Sequence, residues 1–298
     1  MASKRVPSAW HLGIIGGSGL YDPGQLEDTQ ELAVASPFGA PSGPVVLGRH
    51  GDVRVCFLAR HGPGHAIPPS QVNYRANIDV LKRCGVTDVL AISAVGSLRE
   101  ELAPGDMVAV DQFIDCTQGR ERSFFAPGMV AHVGLADPVC PRLAEAAAAA
   151  AGKAGVRVTR GGCYVAIEGP QFSTRAESRL YRTWGTDVIG MTAMPEARLA
   201  REAELPYALL GMVTDFDCWR EDEGPSAEAI VEMVAANAAM AQAAIAELAR
   251  ALPRERAPSP IETALDGAIV TPRGQWDPLV RVKLDAVARR ILRQTPGG

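Results

Sequence analysis

Short apolar runs alternate with longer amphipathic or alanine-rich segments along most of the chain. Nearly continuous apolar runs bounded by glycine, proline or polar residues are typical of strands buried on both faces of a sheet. The predicted strands are 12–15, 45–47, 53–59, 88–93, 107–111, 164–168, 187–190 and 207–213. The segments between them carry helix-start and helix-stop residues, and the predicted helices are 70–84, 141–151, 176–184, 196–204, 226–252 and 277–292. This alternation predicts an α/β fold, with 45–59 as a β-hairpin.

Polar side chains follow one predicted strand after another. Because open α/β sheets bind ligands at the carboxyl ends of their strands, we expect these side chains to converge on one crevice. One set offers the donors and positive charge that suit an oxyanion: Ser18, Arg60, His61, Ser93 and Thr192. The other set combines a flat apolar surface with acceptors, which suits an aromatic heterocycle with N–H groups: Phe172, Ser173, Asp215 and Asp217. The two sites together predict group transfer between a heterocycle and phosphate.

The acid pair follows the most apolar of the predicted strands. Alternate residues of an extended segment point the same way, so we expect Asp215 and Asp217 to project together from the end of strand 207–213. Two adjacent carboxylates with apolar neighbours favour a raised pKa. The alternative is an acidic loop that caps the next helix.

Two other segments have competing interpretations. The glycines around Ser18 allow a backbone to approach a phosphate closely, but a tight strand-to-helix turn explains them equally well. His61 and His65 have the spacing of a helical metal site, whereas Pro63 and Gly64 disfavour the helix that would align them. We therefore expect an anion site here and no metal.

The composition narrows the class of protein. The 298 residues are 47% hydrophobic and 21% charged, which is typical of a soluble globular protein. A net charge of −4 gives no general attraction for nucleic acid or an anionic membrane. Six scattered cysteines without a CxxC pattern indicate reduced thiols. With no long apolar stretch near the start, we expect a cytoplasmic chain without signal peptide or membrane span.

Several motifs in a fixed order resemble one known family. The segments GIIGGSGLYD, ARHG..H.IPPS.VNY.AN, AVGSLREEL.PGD, AIEGPQFSTRAES and TDFDCW are similar to the 5′-methylthioadenosine phosphorylase branch of the trimeric purine nucleoside phosphorylases. The resemblance runs with gaps from about residue 12 to residue 250. It implies a single α/β domain with a mixed central sheet flanked by helices, and a homotrimer. We expect this domain to span 8–252, with 253–298 as a surface linker and a C-terminal helix packed on the same domain.

The resemblance also implies a role for each matching residue. The implied phosphate site is Ser18, Arg60, His61, Ser93, Ala94 and Thr192. Met191 would contact the ribose, and the base would be held by Phe172, Ser173, Asp215 and Asp217, with Ser173 and both acids in the catalytic set. His132 would reach the 5′ site of the neighbouring subunit. The chain has Ser18 where many relatives have threonine, Gln171 for a common arginine and Ala193 for a threonine, and the alignment ends near Pro253.

The reaction implied by the resemblance is phosphorolysis of 5′-methylthioadenosine to adenine and 5-methylthioribose 1-phosphate. Inorganic phosphate is then a co-substrate, and no cofactor is expected. A carboxylic acid at Asp215 would protonate N7 of the purine, and Asp217 would accept hydrogens of the 6-amino group. The alternatives are a phosphorylase of 6-oxopurine nucleosides, a hydrolytic nucleosidase, and a nucleotide-binding protein without turnover. A second carboxylate disfavours the 6-oxopurine phosphorylase, and the anion site disfavours the hydrolytic nucleosidase. The missing P-loop lysine disfavours the nucleotide-binding protein.

Overall fold

One sheet of eleven strands forms the centre of the protein. The computed structural model describes residues 9–17, 20, 26–220 and 227–294, with the side chains of 227–232 and 234–236 outside that description. The strands are β1 (His11–Gly16), β2 (Glu27–Leu32), β3 (Val45–His50), β4 (Val53–Ala59), β5 (Asp88–Ser97), β6 (Met107–Val110), β7 (Gln112–Asp115), β8 (Val158–Arg160), β9 (Cys163–Ala166), β10 (Val188–Gly190) and β11 (Tyr207–Asp215). The helices are α1 (Tyr74–Arg83), α2 (Pro141–Lys153), α3 (Arg175–Thr183), α4 (Ala193–Glu202), α5 (Ala227–Ala251), α6 (Pro278–Lys283) and α7 (Arg289–Leu292).

The long strand β5 organises the sheet. It pairs in parallel with β1 and β11 and, at its carboxyl end, antiparallel with β10. The main path runs β2-β3-β4-β1-β5-β10-β9-β7, and β11, β6 and β8 continue from β5 on a second path. Parallel and antiparallel pairs therefore coexist, and the predicted α/β fold with a mixed central sheet is confirmed.

Helices cover both faces of the sheet because successive strand residues point to opposite faces. On β5, Val89 and Ala91 belong to a core cluster shared with α1, α4 and the C-terminal segment. Their neighbours Leu90 and Ile92 belong to a second cluster shared with α2 and α5. This two-sided burial explains why the central strands are almost continuously apolar in the sequence.

Several elements differ from those predicted, and strand β5 extends beyond the predicted 88–93 to Ser97. The helix predicted from 70 begins at Tyr74, because the side chain of Asn73, not Ser70, accepts the N–H of Ala76 and caps it. The segment 112–138, which contains none of the predicted strands or helices, includes β7, which pairs with β9. The single helix predicted at 277–292 is two short helices, α6 and α7, separated by a turn.

The predicted surface linker 253–260 is partly buried. The Arg256 side chain is only 4% exposed and forms ion pairs with Asp88 at the start of β5 and with Glu262. An isolated buried cation is costly, so these partners keep the segment against the sheet. Most other residues of the segment are exposed, as expected of a surface linker, but its proline-rich composition does not indicate that Arg256 reaches inward.

Candidate active site

The carboxyl ends of β1, β4, β5 and β11 meet at one edge of the sheet. All four strands run in parallel, and the Arg60 N–H donates to Gly16 O across the ends of β4 and β1 at 2.9 Å. Along β5 and β11, Ser93 lies opposite Gly211 and Gly96 lies opposite Asp215. The structure thus places Arg60, Ser93 and the acid pair along one edge of the sheet. Ser18 lies outside the described residues.

Arg60 is buried and already paired. Its Nε and Nη2 donate to the two carboxylate oxygens of Glu196 at 2.7 and 2.9 Å, and Nη1 donates to Ile92 O at 3.0 Å. A guanidinium has five N–H donors, so two remain. Burial opposes the charge of Arg60, but attraction to Glu196 outweighs it and the pKa is raised. Sequence reasoning missed Glu196, which lies far from Arg60 in the chain.

His61 is a neutral side chain in this setting. Burial and the positive charge of Arg60 lower the pKa of His61 to about 4. Its Nδ1 lies 2.9 Å from Ile67 O, and because a carbonyl only accepts, Nδ1 carries the proton and Nε2 is an acceptor. Its ring stacks on His65, with centroids 4.1 Å apart. His61 therefore suits a protonated phosphate oxygen, whereas the sequence suggested a cationic contact.

Two hydroxyl groups complete the described part of the oxyanion set. Ser93 Oγ and Thr192 Oγ1 lie 3.2 Å apart, and both residues are buried. Ser93 Oγ donates to Ala94 O at 3.1 Å, and the Thr192 N–H meets Tyr164 Oη at 3.3 Å. Residues 99 positions apart, one within β5 and one at the start of α4, are thereby brought together.

The acid pair is arranged by a turn, which corrects the expectation of two carboxylates along an extended strand. β11 ends at Asp215, and Asp217 has φ 53° in the left-handed region. Asp215 Oδ1 accepts the N–H of Asp217 at 2.7 Å, and its Oδ2 accepts from Thr214 Oγ1 at 2.7 Å. Ser178 Oγ donates to Asp217 Oδ2. Sequence reasoning missed both Ser178 and Thr214.

Burial raises the pKa of both acids above their usual value. For Asp215, the hydrogen bonds from Thr214 and from the Asp217 backbone oppose that shift. For Asp217, the Ser178 and Cys218 hydrogen bonds oppose it, while the charge of Asp215 adds to it. A carboxyl group with a raised pKa is suited to general acid catalysis near neutral pH.

The loop after β9 borders this turn. Cys218 Sγ lies 3.2 Å from Ser173 O, which joins the loop to the residues after the acids. Phe172 is 49% exposed, and Ser173 Oγ is buried without a hydrogen-bond partner among the described residues. An exposed ring and an unused hydroxyl beside two acids can bind a planar ligand with polar edges.

Arg120 is a further residue that the sequence did not indicate. Its side chain is only 2% exposed and donates from Nη1 to Met191 O and Met194 O, both at 2.7 Å. Its Nη2 donates to Glu168 O at 2.6 Å, and its Nε donates to Glu168 Oε2 at 3.0 Å. Arg120 therefore fastens the loop after β9 to the start of α4, next to Thr192.

His132 is not part of this hydrogen-bonded cluster among the described residues. The His132 side chain is exposed, and the backbone N–H of His132 donates to Ala268 O at 2.8 Å. Ala131 forms a bridge with Ile269, and Val130 O accepts the Val270 N–H at 2.9 Å. The C-terminal segment thus holds the His132 loop in place, and the role implied for His132 stays a prediction.

Two features are absent from the described residues. In the ranges 9–17, 20, 26–220 and 227–294, no group of three or more His, Cys, Asp or Glu side chains is arranged to hold a metal ion. Among those same residues, no helix combines the length and apolar character needed to cross a membrane.

Comparison with known proteins gives the class of this site. The sequence matches the family model of the phosphorylase superfamily over residues 11–252, and the chain belongs to that superfamily. The match ends where the proline-rich segment before Arg256 begins.

Relatives define the similarity more closely. The chain is 54% identical to the S-methyl-5′-thioadenosine phosphorylase of Bradyrhizobium diazoefficiens, over 95% of this chain and 98% of that protein. It is 51% identical to the enzyme of the same name from Cereibacter sphaeroides, with the same coverage.

Solved structures agree with these sequence matches. A methylthioadenosine phosphorylase from an antarctic soil metagenomic library superposes with TM-score 0.89 at 46% identity, covering 94% of this chain and 99% of that one. Methylthioadenosine phosphorylase from Schistosoma mansoni in complex with adenine has TM-score 0.77 at 40% identity, covering 81% of this chain and 91% of that one.

Proposed function

We propose that the protein catalyses phosphorolysis of 5′-methylthioadenosine, releasing adenine and forming 5-methylthioribose 1-phosphate. One observation carries the proposal: a largely buried acid pair lies at the same edge of the sheet as a cluster of hydroxyl, imidazole and guanidinium groups. The names of the relatives support the 6-amino purine as the base. The reaction would serve purine salvage and, through the sugar product, methionine salvage. It needs inorganic phosphate as co-substrate and no cofactor or metal.

The base would bind at the acid pair. Asp215 is the general acid that donates its proton to purine N7, and Asp217 accepts a hydrogen of the 6-amino group. The ring of Phe172 lies against the base, and Ser173 supplies the hydroxyl group that is unused in the described chain. A 6-oxopurine would instead present an oxygen acceptor to Asp217, which leaves two acceptors facing each other.

The phosphate and the sugar would bind between the acid pair and the ends of β4 and β5. The proposed phosphate site is Ser18, Arg60, His61, Ser93, Ala94 and Thr192, and Met191 contacts the ribose. Neutral His61 accepts a hydrogen from a protonated phosphate oxygen. The two unused N–H groups of Arg60 donate to the anion.

The proposed site accounts for the bond changes of the reaction. The C1′–N9 bond breaks, its electron pair moves into the purine, and the Asp215 proton moves to N7. The ribosyl centre becomes cationic, and a phosphate oxygen beneath it forms the new C1′–O bond. Phosphate thus acts both as nucleophile and as the negative charge that stabilises the ribosyl cation.

We further infer that the enzyme is a cytoplasmic homotrimer, with His132 at the 5′ site of a neighbouring subunit. The exposure of the His132 ring leaves it free for such a contact. Residues 8–252 would form the phosphorylase domain, and 253–298 would pack on it, which the burial of Leu284 and Val287 in the core shared with α1 supports. Light scattering should give a trimer mass, and His132→Ala should reduce turnover of methylthioadenosine. A fully active monomer would contradict this assembly.

A turnover assay tests the function directly. The protein is incubated with methylthioadenosine, adenosine or inosine, each with and without phosphate, and the released base is measured. We expect phosphate-dependent release of adenine from methylthioadenosine. Release without phosphate would identify a hydrolase, and preference for inosine would identify a 6-oxopurine phosphorylase. Binding of adenine nucleotides without any turnover would identify a nucleotide-binding protein.

A further inference from the structure

Thr214 occupies a β-bulge beside the acid pair. In the pairing of β11 with β5, Val213 lies opposite Val95 and Asp215 lies opposite Gly96, so Thr214 is the extra residue. Consecutive residues of a regular strand point to opposite faces. Because bulges re-aim side chains, Thr214 Oγ1 here lies 2.7 Å from Oδ2 of the next residue, Asp215.

The Thr214 hydroxyl lies within reach of two acceptors. Besides Asp215 Oδ2, Val95 O is 3.2 Å from Thr214 Oγ1. A hydroxyl carries one proton, so it can donate to only one of them at a time. An ionised carboxylate is the stronger acceptor, whereas a protonated carboxyl group competes poorly with a backbone carbonyl. The bulge therefore offers Thr214 a different acceptor for each protonation state of Asp215.

Each acid accepts a hydrogen bond from a neighbouring hydroxyl group. The Asp217 carboxylate accepts from Ser178 Oγ. Asp215 accepts from the backbone N–H of Asp217 and from the hydroxyl group of Thr214, which has Val95 O as a second acceptor within reach.

We propose that Thr214 is a positioning residue whose hydroxyl group switches acceptor as Asp215 loses its proton. While Asp215 is protonated, Thr214 donates to Val95 O. As the Asp215 proton moves to purine N7, the Thr214 hydroxyl turns to Oδ2 and stabilises the new carboxylate. No proton leaves Thr214, so the only net transfer is from Asp215 to the base. The inference rests on the proposed role of Asp215 as general acid.

Other ionisable groups near the pair do not depend on Thr214. From β5 the residues opposite are the uncharged Val95 and Gly96, and from α5 the neutral amide of Asn237 donates to Val213 O. Among the described residues, the titratable or charged groups of α3 and of the turn after β11 are Arg175, Glu177, Arg179, Tyr181, Arg182, Asp217, Cys218 and Arg220. A substitution that removes only the Thr214 hydroxyl leaves all of them in place.

The test compares pH–rate profiles for methylthioadenosine and phosphate. Thr214→Val keeps the shape and removes the hydroxyl, Thr214→Ser keeps the hydroxyl, and Thr183→Val removes an exposed threonine hydroxyl elsewhere. Losing a donor to the carboxylate raises the pKa of Asp215. The basic limb of the Thr214→Val kcat profile should therefore move up by about one pH unit, with kcat lower by on the order of tenfold near neutral pH. The KM for phosphate should not change.

Thr214→Ser and Thr183→Val should follow the unsubstituted enzyme. A Thr214→Val profile that superimposes on the unsubstituted one, or a Thr214→Ser profile that shifts as far, would overturn the inference. If Thr214→Val does not fold by circular dichroism, Thr214→Ala replaces it under the same criteria. A carboxyl ¹³C NMR titration of Asp215 does not require turnover. If the unsubstituted protein shows no phosphorolysis, the proposed function is rejected, but the titration still decides whether Thr214 is coupled to Asp215.

Discussion

Arg60 and Glu196 form a bidentate ion pair with almost no contact to solvent. Their side chains are 2% and 1% exposed, and Tyr207 Oη donates to Glu196 Oε1 at 2.9 Å. The pair fixes the plane of the guanidinium before any anion binds and compensates most of its charge. A phosphate bound here is therefore held by preoriented N–H donors more than by a free positive charge.

Removing one partner of this pair should affect both phosphate binding and folding. Arg60→Ala leaves Glu196 buried and unpaired, so we expect a strongly raised KM for phosphate together with a loss of about 3–5 kcal/mol in the free energy of unfolding. Steady-state kinetics and urea denaturation measure the two effects.

The double variant Arg60→Met, Glu196→Leu separates the effect on phosphate binding from the effect on folding. Replacing a buried ion pair by apolar residues of similar size is often neutral for stability. The double variant should therefore recover most of the unfolding free energy that Arg60→Ala loses, without recovering phosphate affinity. Phosphate dependence that survives in Arg60→Ala would place the anion site elsewhere.

Asp215→Asn should change base selectivity. An asparagine can accept the Asp217 N–H with its oxygen, and its amide group can donate to O6 of an oxopurine but cannot protonate N7. We expect kcat/KM for methylthioadenosine to fall and the ratio of inosine to methylthioadenosine turnover to rise. Asp111→Asn, away from the acid pair, is the control. If the unsubstituted enzyme already prefers inosine, the proposed role of the acid pair is wrong.

Arg120→Lys should impair catalysis through the position of Met191. Lysine lacks the planar group that donates to two loops at once, so the backbone near Met191 and Glu168 should shift. Displacements of about 1 Å in a site can lower the rate by on the order of 10²-fold. We expect a loss of this size in kcat/KM for the nucleoside. Arg160→Lys, in a surface pair, is the matched control, and equal effects in both variants would contradict the prediction.

Glu202 should make stability depend on pH. Its carboxylate accepts from Ser123 Oγ at 2.8 Å and from the Phe124 N–H at 2.7 Å, and burial raises its pKa from 4.5 to about 7. Because the folded-state pKa is the higher one, the stability contributed by the protonated form is fully present below pH 4.5 and is lost as pH rises through 7.

The measurement is the unfolding free energy of the wild-type protein minus that of Glu202→Gln. This difference should decrease from pH 4.5 to above 7. A difference for Glu202→Gln that increases with pH would show that the carboxylate is stabilised, not penalised, by its surroundings.

The sequence by itself determined the parts that depend on local pattern. The apolar runs predicted the central strands because burial on both faces leaves few polar positions. Polar residues such as Arg60, Ser93 and Asp215 at strand ends predicted the edge of the sheet at which they meet, since parallel strands share that edge. The order of motifs predicted the family that the comparisons show.

Only the tertiary structure decided which groups are partners. Glu196 and Arg60 are 136 positions apart. The periodicity of hydrophobic residues does not indicate which carboxylate will pair with a guanidinium so distant in the sequence. Arg120 lies in a segment without regular pattern, and its role follows from loops it joins across the fold. The bulge at Thr214 depends on the register between β11 and β5. A pattern of hydrophobic positions reports whether a residue is buried, whereas hydrogen-bond partners and the resulting pKa values depend on distances that exist only after the chain has packed.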